Sequence, residues 1–185
     1  KTNNRGELYT YAYDSRNLPK AVRYYAGYAE GDEFVAQLSK IRTATEYKYD
    51  DYNMLRNVTV YEGDIPGKNS NMVNRTPFMQ STYEYDVTPN SITYGVLTRQ
   101  VDPSGVDTRF FYNPQTGELD AVIDSKSRTG VHYTYDKLGN IISVLPASYS
   151  YSSQEFTKVD DEHYVEYTYD NMHRLRTITT ASTVY

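Results

Sequence analysis

Aromatic and β-branched residues alternate with polar ones along much of this chain, and the alternation keeps stopping at an acid. The clearest stretch is His132-Tyr-Thr-Tyr-Asp-Lys-Leu-Gly-Asn-Ile-Ile-Ser-Val144. Tyr133 and Tyr135 flank Thr134 with a period of two, which puts both rings on one face of a β-strand. Asp136 then opens a turn, because its carboxylate can accept backbone N–H groups two residues on. Gly139 supplies a positive φ, and Asn140 to Val144 form the return strand. The stretch predicts a β-hairpin with a type I turn and a glycine bulge.

The pattern recurs six times, at Tyr13-Asp14, Tyr49-Asp50, Tyr85-Asp86, Tyr112-Asn113, Tyr135-Asp136 and Tyr169-Asp170. An aromatic residue precedes each by two positions: Tyr11, Tyr47, Tyr83, Phe110, Tyr133 and Tyr167. Successive copies lie 36, 36, 27, 23 and 34 residues apart, so the short spacings read as bare units and the long ones as units carrying inserts. Each copy is a supersecondary unit that buries its apolar face against its neighbours. Return strands are predicted at Ala21–Tyr24, Val58–Tyr61, Ala121–Ile123 and Thr177–Thr179.

The turn position varies in a way that supports the prediction. Asn17, Asn53 and His173 stand where Gly139 stands, and Asn and His are enriched among non-Gly residues at positive φ. The fourth copy keeps Gly117 with one extra residue. In the third, Pro89 cannot take positive φ, so an altered turn using Asn90 is expected. The insert from Ala26 to Lys40 carries an acidic patch at 30–33 and a weak helical pattern over Glu33 to Ile41. Gly63 to Gln80, with Pro66, Gly67 and Pro77, reads as a solvent loop.

Composition narrows the classes. The 185 residues include 22 Tyr but no Trp and no Cys, which is too aromatic for a disordered chain and suits pleated, half-buried surfaces. Without Cys there are no disulfides and no thiolate metal sites. The net charge of −5 is spread over interspersed acids and bases, so the basic stripe of a nucleic-acid binder is missing. Apolar runs are far shorter than a membrane span. The chain begins at Lys1 and ends in a Thr/Val-rich run, so residues 1–185 are expected to be a single repeat region and a piece of something longer.

Tyr133-Thr-Tyr-Asp-Lys-Leu-Gly-Asn-Ile141, with Val101-Asp-Pro-Ser-Gly105 leading into Phe110-Phe-Tyr112, resembles the Rhs or YD-repeat family. The resemblance covers about residues 9 to 180. It implies an all-β fold in which antiparallel hairpins form a spiral sheet, a segment of a hollow shell. In bacterial polymorphic toxins and toxin complexes such a shell encloses a C-terminal toxic polypeptide, and in teneurin-like proteins a similar barrel serves adhesion. The expected partners are therefore the rest of the shell and an enclosed polypeptide, with a glycan or a cell-surface protein as the alternative. The implied location is secreted or at the bacterial cell surface or cell wall. The self-cleaving Asp-Pro-x-Gly-Leu segment of the bacterial shells has no counterpart here, so the expected role is wall rather than protease or cargo.

No catalytic, cofactor or metal residue is expected. His132 falls in a strand and His173 in a turn, both as structural residues. The run Asp160-Asp-Glu-His163 has metal-ligating types, but adjacent residues in an extended segment point to opposite faces. The repeated acids Asp14, Asp50, Asp86, Asp136 and Asp170 could suggest a glycosidase pair. Their identical place in the repeat instead predicts one turn hydrogen bond repeated five times. Rows of Tyr are accounted for by cross-strand packing. The sequons at Asn57 and Asn74 would matter only in a secreted eukaryotic protein.

Overall fold

The computed structural model describes residues 7–30, 33–36, 40–66, 76–158 and 163–181. Every regular element among them is a β-strand: β1 Leu8–Tyr13, β2 Pro19–Tyr25, β3 Gly27–Glu30, β4 Glu33–Ala36, β5 Lys40–Tyr49, β6 Leu55–Pro66, β7 Met79–Tyr85, β8 Leu97–Val101, β9 Asp107–Tyr112, β10 Leu119–Asp124, β11 Thr129–Tyr135, β12 Ile141–Ser150, β13 Glu155–Lys158, β14 Val165–Tyr169 and β15 Leu175–Thr180. Thirteen of them form one sheet in the order β1-β2-β5-β6-β7-β8-β9-β10-β11-β12-β14-β15, with β13 on β12, while β3 and β4 pair separately. The all-β fold of antiparallel hairpins is as the alternation implied. The described residues divide into two compact units, one running to Tyr83 with Asp102–Ser104, the other holding Glu84–Val101 and the residues from Gly105 onward.

The turns carry the predicted chemistry. In the fifth copy the Asp136 N–H donates to the Asn140 carbonyl at 2.9 Å and the Gly139 N–H donates back to the Asp136 carbonyl at 3.1 Å. That pair of bonds closes a type I turn with a bulge at Gly139, whose φ is +80°. The first, second and sixth copies repeat both bonds with Asn17, Asn53 and His173 at φ +63°, +66° and +60°. In the fourth copy Gly117 takes φ +77° and its N–H reaches the Asn113 carbonyl.

The third copy departs in an instructive way. Asn90 adopts φ +62° as expected, but the residue that closes the hairpin is Gly95, at φ +84° with its N–H on the Asp86 carbonyl. The loop around Pro89 is thus inserted into the same turn. A second slip in register, between Tyr135 and Thr134 in the fifth copy, leaves Ile142 unpaired on the return strand. Equivalent slips fall immediately before Tyr13, Tyr49 and Tyr169.

Two expectations for the inserts are corrected. Glu33–Ala36 and the start of β5 are strands, with Tyr28 opposite Val35. Phe34 and Val35 are adjacent bulky residues, which suit a pleated ribbon better than a helix turn. The expected loop after Gly63 begins later than predicted, because β6 runs on to Pro66 with Ile41 opposite Ile65. Gly63, at φ +100°, sits where that pairing slips past Arg42 and makes the bulge possible. Residues 67–75 lie outside the described residues.

Each unit has a small core of its own. In the first, Tyr25, Ile41, Ala44 and Tyr61 cluster with Leu8 and Ala36 packed against them. In the second, Ala121, Ile123 and Ala147 are the buried apolar residues. Gly130 lies opposite Ile123, and a Cβ there would stand 2.0 Å from the Val122 carbonyl oxygen. Only glycine fits that crossing.

Replacing Gly139 by Val should lower stability by about 2 kcal/mol, because a β-branched side chain is strained at positive φ. Gly139→Asn should stay within about 1 kcal/mol of the parent, as Asn17 and Asn53 already occupy the same place. Urea unfolding curves check both; equal midpoints for the Val and Asn variants would refute the turn assignment.

Candidate functional site

Carboxylates form one row of the repeat, and each is bound into its own turn. Asp14 Oδ1 accepts the N–H groups of Arg16 and Leu18, both at 2.9 Å. Asp50 does the same with Tyr52 and Met54, Asp136 with Leu138 and Asn140, and Asp170 with Met172 and Arg174. The second oxygen also has one kind of role: it accepts from the side chain of Arg16, Arg56, Asn140 or Arg174. Asp86 varies the theme, with Thr88 N–H on Oδ1 and the Thr93 hydroxyl on Oδ2. Asn113 accepts from Gln115 and Thr116 N–H with its amide oxygen. The predicted single hydrogen bond is therefore a set of three, and the acids are spent on structure instead of being paired across a cleft.

These contacts set the charge state. The Leu18 N–H holds the Asp14 carboxyl below the usual carboxylate range. The Asn140 and Arg174 side chains do so first for Asp136 and Asp170, followed by the backbone N–H groups of the same residues. At Asp50 partial burial opposes the shift, but the Met54 and Tyr52 N–H groups and Arg56 outweigh it. The Thr93 hydroxyl is the main cause at Asp86, and the Ser127 N–H at Asp124.

In the fourth, fifth and sixth repeats the second tyrosine makes a bond that residue order does not announce. Tyr112 Oη donates to the Leu97 carbonyl at 2.9 Å, Tyr135 Oη to Leu119 at 2.6 Å, and Tyr169 Oη to Ile141 at 2.8 Å. Each acceptor is the first residue of the preceding hairpin's return strand. Burial pushes the Tyr112 and Tyr135 hydroxyls up, so they remain protonated donors.

A charged clamp stands on the second unit's sheet. Arg99 grips Asp107 with Nε and Nη2 at 2.9 and 2.8 Å and reaches Glu84 with Nη1 at 2.6 Å. Bidentate pairing holds Arg99 protonated and Asp107 ionised. The three residues stand on β7, β8 and β9, so the clamp ties neighbouring strands together.

One face of the same unit gathers aromatic rings. Phe111 lies 4.4 Å from Tyr149 and 5.5 Å from Phe156, centroid to centroid, and Tyr149 packs edge-on against Tyr151. Arg109 and Arg128 lie over the Tyr151 ring at 5.5 and 5.9 Å. His132 packs on Phe156 and stands 3.2 Å from Asp120. The residues occupying this cluster from β12 and β13 belong to an insert, and nothing in the repeat pattern announces them. On the opposite face Val131, Val144, Pro146, His163, Tyr164 and Val165 line an open apolar groove of about 330 Å³.

The three histidines are thus far apart in role. His132 is in β11, His173 closes a turn with Nδ1 3.1 Å from Asn140 Nδ2, and His163 borders the groove. Of the acidic run before His163, residues 160–162 lie outside the described residues. Among the described residues no three His, Asp or Glu side chains stand together as metal ligands would, and no helix is long and apolar enough to cross a membrane. In the first sequon Thr59 is buried in β6, and Asn74 is outside the described residues.

No protein-family model matches the chain, and no curated protein does. Among solved structures it is similar to TcdB2-TccC3 without its hypervariable C-terminal region, at 14% identity and a TM-score of 0.45, over 100% of this chain and 11% of that one. The Photorhabdus luminescens Tc holotoxin pore gives 11% identity and a TM-score of 0.37, again over 100% and 11%. A Bacteroides fragilis protein of unknown function gives 9% identity and a TM-score of 0.29, over 84% of this chain and 90% of that one. The chain spans about a tenth of the toxin-complex chains it matches.

Acid should unfold the protein through the turn carboxylates. A carboxyl held below its unfolded value of about 3.9 stabilises the fold fully above that pH and loses the contribution as pH falls through its folded value. Stability measured by urea unfolding should be level from about pH 7 to pH 5 and fall steadily below about pH 4. A curve that stays flat or rises between pH 4 and pH 2 would contradict the carboxylate wiring.

Proposed function

We propose that the chain is a non-enzymatic wall segment of an Rhs-type shell, which encloses a C-terminal polypeptide of a secreted bacterial protein. The observation that carries this reading is the sameness of the joints. Five hairpin-to-hairpin junctions use one register, so hairpins add edge to edge indefinitely and no copy is specialised for chemistry. In the first unit Ala21 pairs with Glu46 and Asn57 with Thr82. In the second, Arg99 pairs with Arg109, Ala121 with His132 and Ser143 with Glu166. Each pair links the residue two beyond the start of a return strand to the residue three before the next repeat tyrosine.

Such a wall works by its continuity. A strand whose backbone edge is already paired offers no site for a foreign strand, so an enclosed polypeptide is kept apart from the producing cell. The partners on this reading are the remaining shell and the cargo, and the location is outside the cell that makes it.

Intact-mass measurement and C-terminal sequencing of the purified native gene product test the proposal. The expected result is a cleaved C-terminal polypeptide that stays associated with the repeats through size exclusion. A single uncleaved chain with nothing retained would reject it in favour of a YD-repeat adhesin that binds a glycan or a cell-surface protein.

A further inference from the structure

Two residues break the rule that the other turns keep. Among the described residues with positive φ, all but Arg128 and Gln154 are Gly, Asn or His. Arg128 takes φ +61° and Gln154 φ +58°, where an ordinary side chain is disfavoured and glycine would be unstrained. Asp124 to Arg128 joins β10 to β11, and Ser150 to Gln154 joins β12 to β13. A backbone held at such angles by its surroundings points to a role for what it carries.

What the two loops share is Tyr151. It stands in the second loop, and the guanidinium groups of Arg109 and Arg128 both face its ring, 5.5 and 5.9 Å from the centroid. Tyr149 meets the same ring edge-on at 5.0 Å. The Arg128 backbone is fixed on both sides. Its N–H donates to the Asp124 carbonyl at 2.8 Å, and its carbonyl accepts the Tyr149 N–H at 2.9 Å. Arg109 comes from β9 and spends Nε on the Ser125 hydroxyl at 3.2 Å. Backbone and ring contacts therefore hold both cations in place.

Neither guanidinium is gripped by an acid. The Nη groups of Arg109 and the whole Arg128 side chain meet no hydrogen-bond acceptor among the described residues. The neighbouring carboxylates are committed elsewhere. Asp107, which also feels the charge of Arg109, is held by Nε and Nη2 of Arg99. Asp124 Oδ1 takes the Lys126 and Ser127 N–H groups of its own turn. One cation suffices for stacking on a tyrosine, and a second leaves two like charges without a counter-ion. An oxyanion relieves that repulsion and fills the open donors, because a guanidinium presents paired N–H groups that match carboxylate or phosphate oxygens. Tyr151 is 39% exposed, so the position is open to solvent.

We propose that Arg109 and Arg128, arranged around Tyr151, form a binding site for an oxyanion, a carboxylate or phosphate group. The site uses none of the repeat tyrosines or turn acids, and it stands whether or not the chain encloses a cargo.

NMR shifts of the backbone amides and arginine Nε groups test this, with sodium phosphate and sodium acetate each titrated against sodium chloride at constant ionic strength. At least one of the two should give saturable shifts at Arg109, Arg128 and Tyr151, and the one that binds more tightly names the ligand class. Arg109→Gln should weaken that binding roughly ten-fold, the equivalent of one charge-assisted hydrogen bond. Arg128→Gly should weaken it as much, yet its urea midpoint should equal or exceed the parent's, because glycine takes positive φ without strain. No saturable shift from either anion, or variants that bind like the parent, overturn the proposal. A lower midpoint for Arg128→Gly would assign Arg128 to packing and overturn it as well.

Discussion

The hydrogen bond from a repeat tyrosine to the carbonyl opening the preceding return strand is the constraint on which the strand pairing of the second unit depends. Strand pairing by itself is indifferent to register, since every residue brings one donor and one acceptor. A slip of one residue would carry every side chain to the opposite face. Tyr112, Tyr135 and Tyr169 remove that freedom, because a rigid ring with a donor at its tip reaches one carbonyl and no other. The ring is held at a fixed distance from the turn by the acid beside it. The carboxylate closes the turn, the turn places the tyrosine, and the tyrosine sets the next hairpin's register.

This division of labour explains where the repeat tolerates change. The closing residue can be Gly, Asn or His because only its φ matters, as Gly139, Asn17, Asn53 and His173 illustrate. The third copy inserts a loop between Asp86 and Gly95 and still makes both closing bonds. The opposite ends of the strands are less uniform. Asp124 and Asp102 form Asx turns there too, while Ser150 begins a turn closed by Gln154 at φ +58°. Variation is thus concentrated away from the tyrosine row, where inserts such as β13 build the aromatic cluster.

Much of this was readable from residue order, and the limits are physical. Alternation gave the strands around Tyr133 and Tyr135, and turn chemistry located positive φ at Asn17, Asn53, Asn90, Gly117, Gly139 and His173. Local hydrogen bonding decides those features within five residues. The hydroxyl acceptors lie 15, 16 and 28 residues away, and a backbone carbonyl carries no signature in the sequence. Arg128 and Gln154 at positive φ were not foreseen either, since neither type favours it and the tertiary turn imposes it. Glu33–Ala36, at the start of the segment with a weak helical pattern, is a strand whose pairing partner, β3, comes from the same insert and leaves no repeat to compare.

The most direct test of the central constraint is the stability of Tyr112→Phe, Tyr135→Phe and Tyr169→Phe, singly and combined, by urea unfolding. Each change keeps the ring and deletes only the donor. The account predicts a loss of about 1 kcal/mol per hydroxyl, close to additive in the triple variant because the sites share no partner. A triple variant as stable as the parent would show that the sheet keeps its register without the tyrosine bonds.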